Sequence, residues 1–300
     1  MKTGKNRDII DQFYTNTDVS SKCIEYLYDT LEIGINDLFI EPSAGDGSFS
    51  DYFIENKIKI DTYDIEPKKD YIEKVNFLEL DTNKYKSYGH KIHSIGNPPF
   101  GRQSSLAKKF IKKCSEFSDS ISFILPKSFR KESYQSAFPL NFHLIKEFDL
   151  EKNSFIIDGK PHNVPCVFQI WMKLDTDRYI EPKQIETGFK FVKQPKSEII
   201  DCDNDYPIKK KNIFTDIPHF GILRAGGGKK CGRISLNCED GIKCYPEAWL
   251  FIKLDDKYDK DVFYEEYKKI NWIDDSNVGA RSISKPVFIK GINKLLRLMD

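Results

Sequence analysis

The first 173 residues alternate short β-prone runs with helix-like stretches, and no other feature of this chain constrains its fold as much. The runs DLFIEPS, KIDTYDIEP, VNFLELD and IHSIGNPP each stop at Asp, Pro or Gly, which favour turns because they fix φ or bond locally to the backbone. GSFSDYFIEN lies between two of them and SLAKKFIKKCSEF follows them, and both read as helices. The second carries Leu106, Phe110, Cys114 and Phe117 on one buried stripe. Ahead of these runs, DVSSKCIEYLYDTL places Cys23, Ile24, Leu27, Tyr28 and Leu31 on one helical face, with Asp18 or Ser20 as the expected cap. SISFILP, IKEFDL and VPCVFQIWMKL continue the strand pattern. Alternation of this kind predicts an α/β fold with a doubly wound, mostly parallel sheet and ligands at the carboxyl ends of its strands.

Beyond residue 173 the rhythm changes. DTDRYIEPKQIETG reads as a connector, and after it come isolated strand candidates (GFKFVKQ, EAWLFIKL), the glycine cluster RAGGGKKCGR and a helix-like tail, SKPVFIKGINKLLRLM. The expected division is a first domain over 1–180 and a smaller α+β domain over 185–300. A length of 300 residues at 39% hydrophobic and 31% charged suits that size. No run approaches membrane-spanning length and the first residues lack the apolar core of a signal peptide, so a cytoplasmic protein is expected, or a nuclear one in a eukaryotic host. Seven cysteines with no CxxC pair suggest reduced thiols. Cys202, Cys231, Cys238 and Cys244 crowd the C-terminal part, but their spacing matches no common zinc pattern, and no metal is expected. With a net charge of +1, any anionic partner must be met by local patches.

Four strand ends carry the chemistry. EPSAGDGSF places Gly45 and Gly47 between a strand and a helix, where the backbone can approach a ligand closely. YDIEP ends the next strand with Asp64, where a carboxylate can accept from ribose hydroxyls. NFLELD ends a third with Asp81, an acceptor for an exocyclic adenine amine. SIGNPPF ends the fourth. Its two prolines remove two backbone donors and fix two φ angles, so Asn97, Pro98, Pro99 and Phe100 form a stiff loop. Each element has an ordinary structural reading: a structural glycine turn, solvated acidic strand ends, a rigid turn over a buried Phe100. Four of them in this order within about sixty residues favour a binding site over coincidence.

On these residues the chain resembles the S-adenosylmethionine-dependent N6-adenine DNA methyltransferases, which carry an asparagine-proline-proline-aromatic motif. QFYTNTDVSSKCIEYL resembles the family's N-terminal cofactor segment, placed ahead of the glycine turn as in its gamma arrangement. The resemblance covers roughly 12–173 and is most specific at 97–100. It implies a Rossmann-like methyltransferase domain with S-adenosyl-L-methionine as cofactor. Tyr14 and Thr15 would line its methionine end, Glu41 and Gly45 would meet its amino acid part, Asp64 the ribose and Asp81 the adenine. Asn97 and the Pro98 carbonyl would accept the two hydrogens of a target amine while Phe100 stacks on the base. It further implies a C-terminal target-recognition domain and a restriction-modification setting.

The motif serves adenine in DNA, adenine in RNA and glutamine side chains of release factors alike, so the basic residues bear on the choice. GRQSSLAKKFIKK carries Arg102 and four lysines with no acid, and PKSFRK adds Lys127, Arg130 and Lys131. In the second domain Lys209, Lys210, Lys211, Arg224, Lys229, Lys230 and Arg233 face only Asp216 between residues 208 and 233. Such clusters neutralise phosphates, although a solvated lysine-rich face has the same composition. The expected partner is therefore nucleic acid, with double-stranded DNA first. RNA adenine methylation and a catalytically silent nucleic-acid-binding relative are the alternatives.

Overall fold

The computed structural model describes residues 14–157, 159–193, 196–203, 206–224, 231–236, 248–272 and 283–300. They divide into two compact units, Met1–Tyr179 and Ile180–Asp300. In the first unit the elements run β1 (Tyr14–Thr15), α1 (Thr17–Tyr28), β2 (Leu38–Glu41), α2 (Ser50–Glu55), β3 (Ile60–Asp64), β4 (Glu73–Lys74), α3 (Asn83–Lys86), β5 (Ile92–Gly96), α4 (Ser105–Cys114), β6 (Ser120–Pro126), α5 (Glu132–Gln135), β7 (Phe142–Asp149), β8 (Phe155–Ile157), β9 (Lys160–His162) and β10 (Cys166–Lys173).

Seven of these strands form one sheet in the order β4-β3-β2-β5-β6-β10-β7. β4, β3, β2, β5 and β6 pair in parallel, while β10 lies antiparallel to both β6 and β7. Alternate side chains of each strand face opposite sides, and both faces are covered over the central strands, so β2, β5 and β6 are buried at every position while β4 and β7 at the two edges are not. Phe39, Ile95, Ile124 and Phe168 join Cys23, Ile24 and Leu27 of α1 and Phe53 of α2 in one cluster. Leu38, Ile40, Ile92, Ile121 and Phe123 join Phe110, Ile111 and Cys114 of α4 in the other. The sheet is thus covered by helices on both faces, a Rossmann-like arrangement. A second sheet, β1-β8-β9, sets β1 antiparallel to β8 through Tyr14↔Ile156 and Thr15↔Phe155.

Two expectations are corrected. The cap of α1 is Asn16, whose side chain accepts from the Asp18 amide at 3.0 Å. The run VNFLELD is not a strand: β4 pairs with β3 only at Tyr63↔Glu73 and Asp64↔Lys74, and a 3-10 turn over Phe77–Glu79 follows. The Asn76 side chain starts that turn by accepting from the Leu78 amide, and Phe77 drops into the core, stacked 6.0 Å from Phe110. Burial of one aromatic ring there outweighs further pairing at a sheet edge.

The second unit contains β11 (Phe189–Val192), β12 (Lys196–Asp203), β13 (Tyr206–Ile213), β14 (Phe220–Leu223), β15 (Ile234–Ser235), β16 (Trp249–Leu254), α6 (Lys260–Lys268) and α7 (Lys285–Met299). An antiparallel sheet, β11-β16-β14-β15, packs Phe220, Ile222, Leu250 and Ile252 against Phe263 and Tyr267 of α6 and Phe288, Ile292 and Leu296 of α7. β12 and β13 form a separate hairpin. Asp259 caps α6 by accepting from the Asp261 and Val262 amides, a helix the sequence pattern had not distinguished from the charged residues around it.

Candidate active site

Three parallel strands, β2, β3 and β5, end side by side, and the segments that follow them form the candidate site. After β2 the chain turns through Gly45 (φ +55°) and Gly47 (φ +82°), the left-handed conformation that favours glycine. This turn is held from β3. The Ala44 amide donates to the Tyr63 carbonyl at 2.8 Å, and the Gly45 amide donates to one carboxylate oxygen of Asp64, also at 2.8 Å. The other Asp64 oxygen accepts from the Glu66 amide at 2.8 Å. Tyr14 covers the turn from β1, so close that a Cβ on Gly45 would stand 3.2 Å from its ring.

Glu41, the last residue of β2, is only 1% exposed and accepts from the Ser50 hydroxyl. Gly96 backs it on β5, where a Cβ would stand 3.2 Å from the Glu41 Cγ. Burial pushes the Glu41 carboxyl well above the usual range; the Ser50 bond opposes this and the charge of Asp46 adds to it. Burial likewise raises Asp46, and it raises the Tyr14 phenol with help from Asp46, Asp64 and Glu66. The nearby Lys69 ammonium is taken by Asp51 at 2.6 Å. Four carboxyl groups and one phenol therefore surround the turn, a setting that favours a cation over an anion.

Asn97 follows Gly96 (φ +140°) at the end of β5, half-buried. Its Nδ2 donates to the Thr15 hydroxyl at 3.1 Å, and its carbonyl accepts from the Ser43 hydroxyl at 3.4 Å. Pro98 is buried, while Pro99 and Phe100 are half-buried, with Phe100 packed against both core clusters. The Phe100 carbonyl accepts from the Leu106 amide at 3.1 Å, which ties the loop to the start of α4.

Of the residues singled out by sequence, Tyr14, Thr15, Glu41, Gly45, Asp64 and Asn97 are brought together. Asp81 is exposed, and one of its oxygens accepts from the Asn83 amide at 3.0 Å to open α3. Arg102 is exposed in the loop after Phe100. Lys127 pairs with Asp149 at 2.9 Å, and Arg130 pairs with Glu147 at 2.8 Å and Asp149 at 3.1 Å, so acids of β7 balance the basic PKSFRK run. Arg224 is half-buried and Arg233 exposed; the Arg233 carbonyl accepts from the Leu223 amide at 2.9 Å. Lys229, Lys230, Cys238 and Cys244 lie outside the described residues, as do the side chains of Lys209, Lys210, Lys211 and Cys202. Among the described residues, no group of three or more His, Cys, Asp or Glu could hold a metal ion. Asp46, Ser50 and Glu66 were not anticipated as site residues. The first two stand within the same glycine-turn segment, and their spacing from Glu41 was the available signal.

A mostly parallel sheet with one antiparallel strand, a glycine turn after β2 and an acid at the end of β3 define a Rossmann-like α/β fold. No family model matches the sequence, and no curated protein matches it. Solved structures similar to it include a candidate RNA methyltransferase of Pyrococcus horikoshii, at 18% identity over 58% of this chain and 93% of that one, with a TM-score of 0.39. Magnesium protoporphyrin IX methyltransferase of Synechocystis, solved with bound S-adenosylmethionine, is 10% identical over 53% of this chain and 79% of that one, with a TM-score of 0.38. The tRNA (uracil-54, C5)-methyltransferase of Pyrococcus abyssi, in complex with S-adenosyl-L-homocysteine, is 15% identical over 54% of this chain and 40% of that one, with a TM-score of 0.35. These likenesses are distant, and the reading of the site rests on its own geometry.

Proposed function

We propose that this chain is an S-adenosyl-L-methionine-dependent methyltransferase acting on the exocyclic N6 of adenine in double-stranded DNA. The observation that carries this reading is the placement of Asn97 and Pro98, on a proline-stiffened loop, at the end of the strand beside the glycine turn. The acceptors around that turn fit the cofactor: Asp46, Asp64 and Glu66 complement its cationic sulfonium and ammonium groups, the buried Glu41 carboxyl offers an oxygen to the ammonium, and Gly45 permits close backbone approach. Tyr14, Glu41, Gly45 and Asp64 would hold it, with Asp81 available to its adenine amine. When bound, the cofactor supplies an electrophilic methyl carbon.

The remaining chemistry belongs to the chain. The lone pair on adenine N6 is delocalised into the ring, so the site must favour a pyramidal nitrogen. Asn97 Oδ1 can accept one N6 hydrogen and the Pro98 carbonyl the other, and both acceptors stabilise the positive charge that develops on nitrogen. Because the prolines restrict the loop, little ordering entropy is lost as substrate arrives. The nitrogen then gives up one proton to solvent, and no general base is needed. Half-buried Phe100 offers the base a stacking surface, worth about 1–3 kcal/mol on comparable platforms.

A duplex substrate must surrender its target base from the stack. Arg102, Arg224, Lys229, Lys230 and Arg233 are proposed phosphate contacts, and the second unit is the proposed target-recognition domain. Lys127 and Arg130 can also serve, since partly exposed ion pairs contribute only about 0–1 kcal/mol and exchange readily for a phosphate. Incubation with tritium-labelled cofactor and parallel unmethylated duplex DNA, RNA and release-factor protein tests the reading. Label recovered as N6-methyladenine from DNA is expected. Label in RNA alone makes the target RNA adenine, and label in protein makes it glutamine. Cofactor binding without transfer to any acceptor makes the chain a silent relative.

A further inference from the structure

We infer that Glu41 is a carboxylic acid in the free protein and gives up its proton when the cofactor binds, so that uptake of S-adenosyl-L-methionine sends a proton to solvent. The inference rests on the reading of the glycine turn as the cofactor site. Glu41 ends β2 at 1% exposure, and both of its bonds come from uncharged groups, the hydroxyl and the backbone amide of Ser50, itself fully buried at the start of α2. That hydroxyl serves either form, donating to a carboxylate or accepting from an acid, so the contact survives the exchange. An ionised carboxylate held by neutral groups in so dry a place is costly, and such a group keeps its proton.

The charges that face Glu41 add to the cost. Asp46 lies in the turn, Asp64 ends β3 with Glu66 just beyond it, and the Tyr14 phenol covers the turn from β1; Asp46 and Asp64 both push the Glu41 carboxyl further up. On the α2 side Asp51 holds the Lys69 ammonium and the Tyr71 hydroxyl, each at 2.6 Å, so that cation is already balanced, and Lys68 is exposed. Gly96 faces it from β5 and brings no charge; a Cβ there would stand 3.4 Å from Glu41 Oε1. A cationic ligand reverses this balance. The sulfonium and ammonium of the cofactor set two positive charges among these acids, and an opposite charge within about 4–6 Å favours the ionised carboxyl. The Glu41 O–H bond breaks, its electron pair stays on the carboxylate and the proton leaves to solvent. Asp46 is only half-buried, so water already stabilises its ionised form better than that of Glu41.

Calorimetry on the full chain near pH 6, where the ligand ammonium stays charged, counts released protons when repeated in buffers of differing ionisation enthalpy. Binding of S-adenosyl-L-methionine should release close to one proton, and its affinity should rise by up to about tenfold per pH unit between about pH 5 and 6.5. Methylthioadenosine, which keeps the nucleoside but carries neither cation, should release almost none. Glu41→Gln is a permanent analogue of the acid, and it should bind S-adenosyl-L-methionine more weakly than wild type and lose both the slope and the release. Asp46→Asn should keep the release. In infrared difference spectra the carboxylic acid carbonyl band of the wild type should vanish on binding and be missing from Glu41→Gln. Binding with no proton released, equal release from Glu41→Gln or with methylthioadenosine, or release lost in Asp46→Asn instead would each overturn the assignment. The first of these leaves the cofactor reading standing, because binding is still seen; a chain that binds no S-adenosyl-L-methionine at any pH loses both. If Glu41→Gln does not fold, the wild-type infrared band and the release kept by Asp46→Asn decide.

Discussion

Replacing Asp64 by alanine should do more than remove one contact to a ribose. Its carboxylate accepts two backbone amides at once, Gly45 and Glu66, each at 2.8 Å, and the first of these holds the glycine turn. Hydrogen bonds to a charged group contribute about 1.5–3 kcal/mol each. Because Asp64 is half-buried, water can re-solvate part of what is freed, so the lower figure applies and the pair amounts to about 3 kcal/mol. In a domain of this size each kcal/mol moves the melting temperature by about 2–4 °C, which makes the expected loss about 6–12 °C. Asp64→Asn keeps the shape but turns one charge-assisted bond into a neutral one and sets an NH2 against the second backbone amide, and should cost about as much as alanine. Thermal unfolding by circular dichroism, with and without S-adenosylhomocysteine, measures both variants. Ligand affinity and the Michaelis constant for cofactor should worsen far more than saturated turnover, since a ribose contact acts on ground and transition states alike. A wild-type melting temperature in Asp64→Ala, alongside lost ligand binding, would refute the tethering role and leave Asp64 as a ligand alone.

Asn97→Ala should lower kcat by about 10²–10³, or about 2.7–4 kcal/mol if Asn97 behaves like other preorganised groups, with homocysteine-product binding by calorimetry nearly unchanged. Wild-type turnover would remove Asn97 from the chemistry. His93, 3% exposed between Ser120 (2.7 Å) and Asp37 (3.2 Å), has its pKa lowered from 6.5 by burial, which outweighs the pull of Asp37. The unfolded chain therefore takes up this proton first, so stability should decline as pH falls below 6.5. A second loss should follow below 3.8, because burial of Asp37 is outweighed by its bonds from the Gly34 amide and His93, which lower its pKa. Urea midpoints from pH 8 to 5 should lose the first slope in His93→Gln; an equal slope in the variant assigns it elsewhere. Neutralising Arg224, Lys229, Lys230 and Arg233 together should flatten the salt dependence of duplex DNA affinity by about 0.9 slope units per lost phosphate contact and leave cofactor affinity unchanged. An unchanged slope makes the glycine cluster an ordinary surface loop.

Local composition determined much of the first unit: β2, β3, β5, β6, β10 and α1, α2, α4 could be placed from apolar spacing and from the residues that end each run, because both signals act within a few residues. The order of the glycine turn, Asp64 and the Asn97 loop was legible for the same reason. Each sits where a strand stops. Tertiary packing decided what propensity could not, as at VNFLELD, where burying Phe77 beside Phe110 replaced strand pairing by a 3-10 turn. It also decided the state of charges. Lys127 and Arg130 read as free cations in sequence, yet β7 brings Glu147 and Asp149 to them from about twenty residues away. The contact from Asn97 to Thr15 spans 82 positions and exists only because β1 pairs with β8 beside the end of β5. No spacing rule covers such a separation, since a hydrogen bond depends on distance and direction in space, and those are settled only when the sheets assemble.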